Sequence, residues 1–209
     1  ALVSLLEALG VDALGLNCGA GPLQLSAPVR QLVHLSSVPV IFKPNAGLPH
    51  TAEDGSVRYD IDADTFAAAV AEAAQEGVAV VGGCCGTTPE HIAKLHAACA
   101  GLSPVPPFSK QTIYLSSGAQ AVDARALDLA SLAPIAVPDS LDDLLDEVFD
   151  RQDEEVPVLR LDFSQSSLPP LDAVEAVQEI SRLPLWLEGA DAGILSGALR
   201  RVNGKAMVT

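Results

Sequence analysis

The chain is short of positive charge: 12 lysines and arginines stand against 27 aspartates and glutamates in 209 residues, a formal net charge of -15. Such a surface repels phosphate backbones and anionic headgroups, and no basic stripe is left to follow a nucleic acid. Nucleic acid and membrane are therefore not expected as partners. No apolar run approaches the ~20 residues that cross a bilayer, and the N-terminus has no basic region followed by an apolar core and a cleavage site. A cytoplasmic protein is expected. The sequence also lacks an initial methionine: it opens on Ala1, directly before the helix-like LVSLLEAL, and stops at Thr209 inside an apolar run, so a piece of a longer chain is expected. Cysteines are few. Of the four, Cys18, Cys84, Cys85 and Cys99, two are adjacent, which argues against a disulfide framework and for metal binding or catalysis.

What is present suffices for a packed core, with 49% hydrophobic and 19% charged residues. Residues 1 to 100 repeat one pattern, a short apolar run followed by an amphipathic stretch. The runs are DALGLN (12 to 17), VPVIFKPN (38 to 45) and GVAVVGG (77 to 83). Helix-like segments flank them: LVSLLEAL before Gly10, PVRQLVHLS, DADTFAAAVAEAAQE before Gly77, and PEHIAKLHAACA before Gly101. Asp62 or Asp64 can cap the third helix, and Thr87 or Thr88 before Pro89 opens the fourth. The alternation predicts an α/β fold with parallel strands covered by helices. GLSPVPPFSK (101 to 110) reads as a linker. Beyond it the alternation resumes with TIYLSS, LAPIAVP, SLDDLLDEVFDRQ, VPVLRLDF, LDAVEAVQEISR, LPLWLEG, AGILSGALRRV and KAMVT. The expected domains are thus 1–100 and 111–209.

In a parallel β/α array all strand C-termini open on one face, where barrel enzymes place their chemistry. Cys18, Asn45 and Cys84 each follow one of three successive strands. Cys84 and Cys85 would point to opposite faces of a regular strand, but Gly82, Gly83 and Gly86 allow a turn that aims both sulfurs inward. The positive end of the helix starting near Pro89 is expected beside them, favouring thiolate. Three thiolates with one open position suit zinc, about 2.3 Å from each sulfur, and suit activation of a thiol better than of water. The adjacent pair is equally compatible with a packed turn or a redox dithiol. Cys99 reads as a core residue, and His34, His91 and His96 as surface or packing residues; His50, after the Asn45 loop, is ambiguous.

GLNCGAGP, KPNAGLP, YDIDAD and VVGGCCGTTPEHI, in this order and spacing, resemble the homocysteine-binding domain of cobalamin-dependent methionine synthases and their homocysteine S-methyltransferase relatives. The resemblance covers residues 1 to about 100. It implies a partial (β/α)8 barrel (TIM barrel) made of its C-terminal strands, zinc held by Cys18, Cys84 and Cys85, and Asn45 as a fourth ligand displaced by homocysteine. The substrate sulfur then takes a methyl group from methylcobalamin on a separate corrinoid domain or protein. No residue of this chain is assigned as acid, base or nucleophile. The family's opening Asp-Gly-Ala-Met-Gly-Thr motif is missing, so this chain alone is expected to be inactive. Residues 111 to 209 resemble the start of a pterin-binding barrel, with LAPIAVPDS, RLDFSQ and LWLEG standing where that family carries polar motifs; Asp162 is the one remnant. The implied second unit is a degenerate β/α barrel-like domain. The alternatives are a zinc-binding structural or redox module, or a homocysteine methyltransferase that uses S-methylmethionine.

Overall fold

The computed structural model describes residues 1–107, 113–189 and 191–209, without the side chain of Ile194. Its contacts divide the chain into two compact units, Val11–Lys110 and Ala1–Gly10 together with Gln111–Thr209. Residues 108 to 110 of the expected linker lie outside the described residues, as does the start of TIYLSS. Helix α1 (Leu2–Ala8) belongs to the unit that holds the C-terminal half, where the Ser116 hydroxyl donates to that of Ser4 at 3.0 Å, both residues being buried.

The Val11–Lys110 unit runs β1 (Leu14–Asn17), α2 (Pro22–Leu35), β2 (Val40–Lys43), β3 (Pro49–Thr51), β4 (Val57–Tyr59), α3 (Ala63–Gln75), β5 (Val80–Val81) and α4 (Pro89–Cys99). Strands β1, β2 and β5 form a parallel sheet in that order, with Leu16 opposite Phe42 and Phe42 opposite Val81. Parallel pairing in sequential order puts the three strand ends side by side, as the apolar runs imply. The helices cover a core around Phe42, Phe66, Val70 and Val29. Local chemistry sets their ends. Asp62 caps α3 by accepting from the Thr65 N–H at 2.8 Å. Thr88 precedes Pro89 at the start of α4 and pairs with His91, whose Nδ1 lies 2.9 Å from the Thr88 hydroxyl. His91 Nε2 donates to the Ile61 carbonyl at 3.2 Å, which ties α4 to the segment before α3 and gives this histidine a packing role.

Two features depart from the sequence reading. Helix α2 begins at Pro22 and runs through Pro28, where the sequence pattern starts it. Pro28 is exposed, so the Gln24 carbonyl that loses its helical donor faces solvent, while Pro22, Val29 and Val33 bury the inner face. The stretch between PNAGLP and DIDAD also forms an antiparallel hairpin, β3 with β4, closed by Asp54, which accepts from the Ser56 N–H at 2.9 Å.

In the other unit, after a hairpin of β6 (Tyr114–Ser116) and β7 (Ala121–Asp123), the chain runs β8 (Ile135–Ala136), α5 (Leu141–Asp153), β9 (Leu159–Asp162), α6 (Pro170–Ile180), β10 (Leu185–Glu188), α7 (Ala192–Leu199) and β11 (Met207–Val208). Strands β8 to β11 form one parallel sheet in chain order. TIYLSS is therefore a hairpin strand, outside the parallel array the alternation suggested. Leu159, Leu161, Leu185 and Leu187 pack under the helices, while Trp186 and Val158 meet Leu115 and Leu132 in a second cluster. The fold is α/β with a parallel sheet in each unit and no closed barrel among the described residues. No helix of the described residues is long and apolar enough to cross a membrane.

Phe66 is fully buried and its ring meets His91 edge-on at 5.4 Å. Phe66→Ala is expected to destabilise the Val11–Lys110 unit by about 3–5 kcal/mol, read as a lower urea midpoint at unchanged slope.

Candidate metal centre

Each cysteine of interest leaves its strand at a backbone position fixed by its neighbours. The Cys18 N–H donates to the Lys43 carbonyl at 3.0 Å, carrying the β1–β2 ladder one residue beyond the strand, and Cys18 then adopts φ +66°. That left-handed conformation turns the chain away and leaves the side chain at the strand ends. At β5 the Gly82 N–H donates to the Phe42 carbonyl at 3.0 Å and the Cys84 N–H to the Pro44 carbonyl at 2.8 Å. Thr87 closes the turn through its hydroxyl, which donates to the Cys84 carbonyl at 2.6 Å. Gly86 stands at φ +78°, and a Cβ there would overlap the ring of Tyr59. Adjacent cysteines thus share one face because neither lies in a strand.

The Cys18 and Cys85 sulfurs are 3.7 Å apart and the Cys84 and Cys85 sulfurs 3.9 Å, and all three lie within 4.8 Å of one another. Four sulfur ligands at zinc-thiolate bond lengths in a tetrahedron stand about 3.8 Å apart, so the donor set and its spacing fit such an ion with one position left over. Cys18 and Cys84 are half-buried and Cys85 exposed, which leaves the cluster open to a ligand. Among the described residues this is the one group of three or more cysteine, histidine or carboxylate side chains close enough to share an ion.

The thiols are not equivalent. The Gly19 N–H, followed by the Cys85 and Cys84 thiols, holds Cys18 below the usual thiol range. Cys85 is pushed up, first by Cys18 and then by Cys84, because it keeps its proton to donate and would otherwise add a second charge. The sequence reading expected the helix end near Pro89 to favour thiolate at the adjacent pair. At Cys85 the shift runs the other way, through its hydrogen bonds with Cys18 and then Cys84.

Asn45 is buried, and its Oδ1 accepts from the Cys85 N–H at 3.1 Å, while its N–H donates to the Ala20 carbonyl in the loop after Cys18. It therefore sits between the two cysteine loops. The other residues singled out in the sequence lie outside the cluster. Cys99 ends α4, with its thiol pushed up by burial. His34 and His96 stand in the last turns of α2 and α4, and His50 lies on β3 opposite Arg58. In the other unit, Asp162 at the end of β9 accepts from the Ser164 N–H at 2.9 Å, which holds its carboxyl below the usual range. Sequence reasoning missed Tyr59. Its ring lies against Gly86, and its phenol is pushed up by burial and then by the Cys85 sulfur. The only signal was its place in YDIDAD.

A parallel α/β segment with three thiols gathered at its strand ends is of the kind that holds a thiophilic metal and presents it to a substrate. Residues 1–99 match the family model described as homocysteine S-methyltransferase. Over 101 residues the chain is 45% identical to a methionine synthase of Mycobacterium leprae, covering 48% of this chain and 8% of that protein. Over 103 residues it is 44% identical to a methionine synthase of Mycobacterium tuberculosis, covering 49% and 9%. The similarity to the homocysteine S-methyltransferase family thus covers the first 99 residues, and the matched stretch spans less than a tenth of these relatives.

Gly86→Ala is expected to disperse the sulfurs, since the new methyl group meets Tyr59 as well as straining the backbone. Gly55→Ala, also at positive φ but with open space around it, carries only the strain, about 1–2 kcal/mol. Capture of a trivalent arsenical, which needs neighbouring thiols, is expected to fall at least tenfold in the first variant and to be unchanged in the second.

Proposed function

We propose that this chain is part of a methionine-synthase-like methyltransferase that makes methionine from homocysteine, with residues 1–100 as the C-terminal part of its homocysteine-binding β/α barrel. The observation that carries the reading is the trio of sulfurs, all within 4.8 Å of one another, on the residues of the GLNCGAGP and GGCCGTTPEH stretches. Cys18, Cys84 and Cys85 would hold zinc, and Asn45, buried beside two of them, would fill the fourth position until substrate arrives. Bound zinc supplies the charge that keeps the homocysteine sulfur a thiolate at neutral pH and leaves it nucleophilic. The chain's own residues set the place of attack. The two cysteine loops fix the direction from which a substrate sulfur enters, and the exposure of Cys85 leaves that side open. In the transfer, a sulfur–carbon bond to the methyl group forms, the donor's bond to that carbon breaks, and the thiol proton is lost to solvent.

Methylcobalamin, carried by a corrinoid domain or partner protein, is the proposed donor. Support comes from the PNAGLP and YDIDAD stretches, which favour the methionine synthase branch over enzymes that use S-methylmethionine. For residues 111–209 we keep the reading of a pterin-barrel-like unit without pterin chemistry. The chain-order parallel sheet supports the architecture, and Asp162, turned onto its own loop, supports the loss of ligand binding.

Purified chain is expected to bind one zinc, and Cys18→Ser or Cys84→Ser to lose it. X-ray absorption at the zinc edge is expected to count three sulfur neighbours, rising to four when L-homocysteine is added. Metal-free protein with an oxidisable Cys84–Cys85 pair would instead support the structural or redox reading.

A further inference from the structure

The chain has three asparagines, Asn17, Asn45 and Asn203. The side-chain carbonyl of an asparagine is open to attack by the main-chain nitrogen of the next residue, which closes a cyclic imide, provided that nitrogen's N–H is not already committed to the fold. After Asn17 the Cys18 N–H donates to the Lys43 carbonyl at 3.0 Å, and after Asn45 the Ala46 N–H donates to the Cys85 carbonyl at 2.9 Å. After Asn203 the Gly204 N–H has no hydrogen-bond partner among the described residues, and neither has the exposed Asn203 side chain. Asp54–Gly55, the comparable pair in the β3–β4 hairpin, is closed to the same attack because the Gly55 N–H donates to the Ala52 carbonyl at 2.9 Å. Anchors flank Asn203–Gly204 on both sides. Gln178 Nε2 donates to the Arg201 carbonyl at 2.8 Å and its Oε1 accepts from the Asn203 N–H at 2.5 Å, while Lys205 exchanges main-chain bonds of 2.8 and 2.9 Å with Ser116. The second anchor also decides the residue type, since a Cβ at Gly204 would overlap the Ser116 carbonyl. The fold thus demands glycine where glycine is the least hindered nucleophile.

We propose that Asn203–Gly204 is a self-modification site, at which the Gly204 nitrogen attacks the Asn203 side chain and converts it to aspartate and isoaspartate. The nitrogen gives up its proton to base and bonds to Cγ, the bond from Cγ to Nδ2 breaks, and ammonia leaves. Water then opens the imide. Opening at Cγ gives aspartate with the main chain restored; opening at the main-chain carbonyl routes the chain through the side chain as isoaspartate. One water is consumed, one ammonia is released, and nothing is oxidised or reduced. Isoaspartate lengthens the main chain between the Gln178 clamp and the Ser116–Lys205 pairing, so the two no longer fit together. Ser116 is buried and also holds Ser4 of α1, so the modification loosens the attachment of the β6–β7 hairpin and of α1. This inference stands apart from the metal centre.

The test incubates the full chain at mildly alkaline pH, folded and in urea, and follows the peptides that hold each asparagine by mass spectrometry. In the folded chain, conversion at Asn203 is expected to run within about threefold of its rate in urea, and at least about tenfold faster than at Asn17 or Asn45, whose following amides become available only by local opening. Labelled methyl transfer by an isoaspartate-specific protein carboxyl methyltransferase separates isoaspartate from aspartate. Asn203→Gln, which would have to close a larger ring, is expected to stay unmodified. On ageing, the urea midpoint is expected to fall in the unaltered chain and to hold in Asn203→Gln. Conversion in urea but not in the folded chain would show that the turn blocks the attack and would overturn the proposal. Conversion with an unchanged urea midpoint would overturn the effect on the Ser116 pairing and leave the site standing.

Discussion

The candidate centre depends on the backbone of residues 43 to 46, the stretch that follows β2. Its Lys43 and Pro44 carbonyls accept from the Cys18 and Cys84 amides, the Ala46 amide donates to the Cys85 carbonyl at 2.9 Å, and the Asn45 side chain accepts from the Cys85 amide. All three cysteines are thus fastened by main-chain groups to one central segment. Each bond contributes only about 0.5–1.5 kcal/mol net, yet together they fix three loops in register. The same stretch is tied outward through Asn45, whose N–H donates to the Ala20 carbonyl at 3.0 Å.

The unit with the four-stranded sheet spends its polar groups differently. On the sheet face opposite the helices, Arg160 lies over the Trp186 ring at 4.1 Å from its centroid, pairs with Glu188 at 3.0 Å, and donates to the Leu132 carbonyl. Trp186 donates to the Thr209 hydroxyl, which donates to Glu188. Such a network stiffens the sheet, though Arg160 Nε stays buried without a hydrogen-bond partner among the described residues. Asp162 and Asp139 are likewise committed to loop amides, of Ser164 and Ser167. The strand ends that gather thiols in one unit carry internal ties in the other.

Much of this was legible in the amino-acid order, because the signals are local. Apolar runs located β1, β2, β5, β9 and β10, and the glycines around Cys84 and Cys85 announced a turn that no strand could make. Capping chemistry narrowed two helix starts to Asp62 or Asp64 and to Thr87 or Thr88, and the structure uses Asp62 and Thr88. Pro28 misled, since proline at a helix start and proline on the exposed side of a helix look alike without knowledge of burial. The β3–β4 hairpin was hidden because PHT and VRY are short and exposed and show no alternation of apolar and polar residues. Tyr59 went unnoticed for the same reason: its ring packs against Gly86, far along the chain, and contacts of that range are set by the fold. The uneven acidity of the thiols was equally out of reach, because it depends on which sulfur the Gly19 amide happens to face.

Cys18 occupies a backbone conformation that glycine adopts freely and that a residue with a side chain holds only at a cost of about 1–2 kcal/mol. Stability and the proposed metal centre pull in opposite directions at this one position. A laboratory selection for heat tolerance alone would be drawn toward glycine here and would discard a sulfur while improving the scaffold, so thermal hardening of this protein has to be carried out with position 18 held constant.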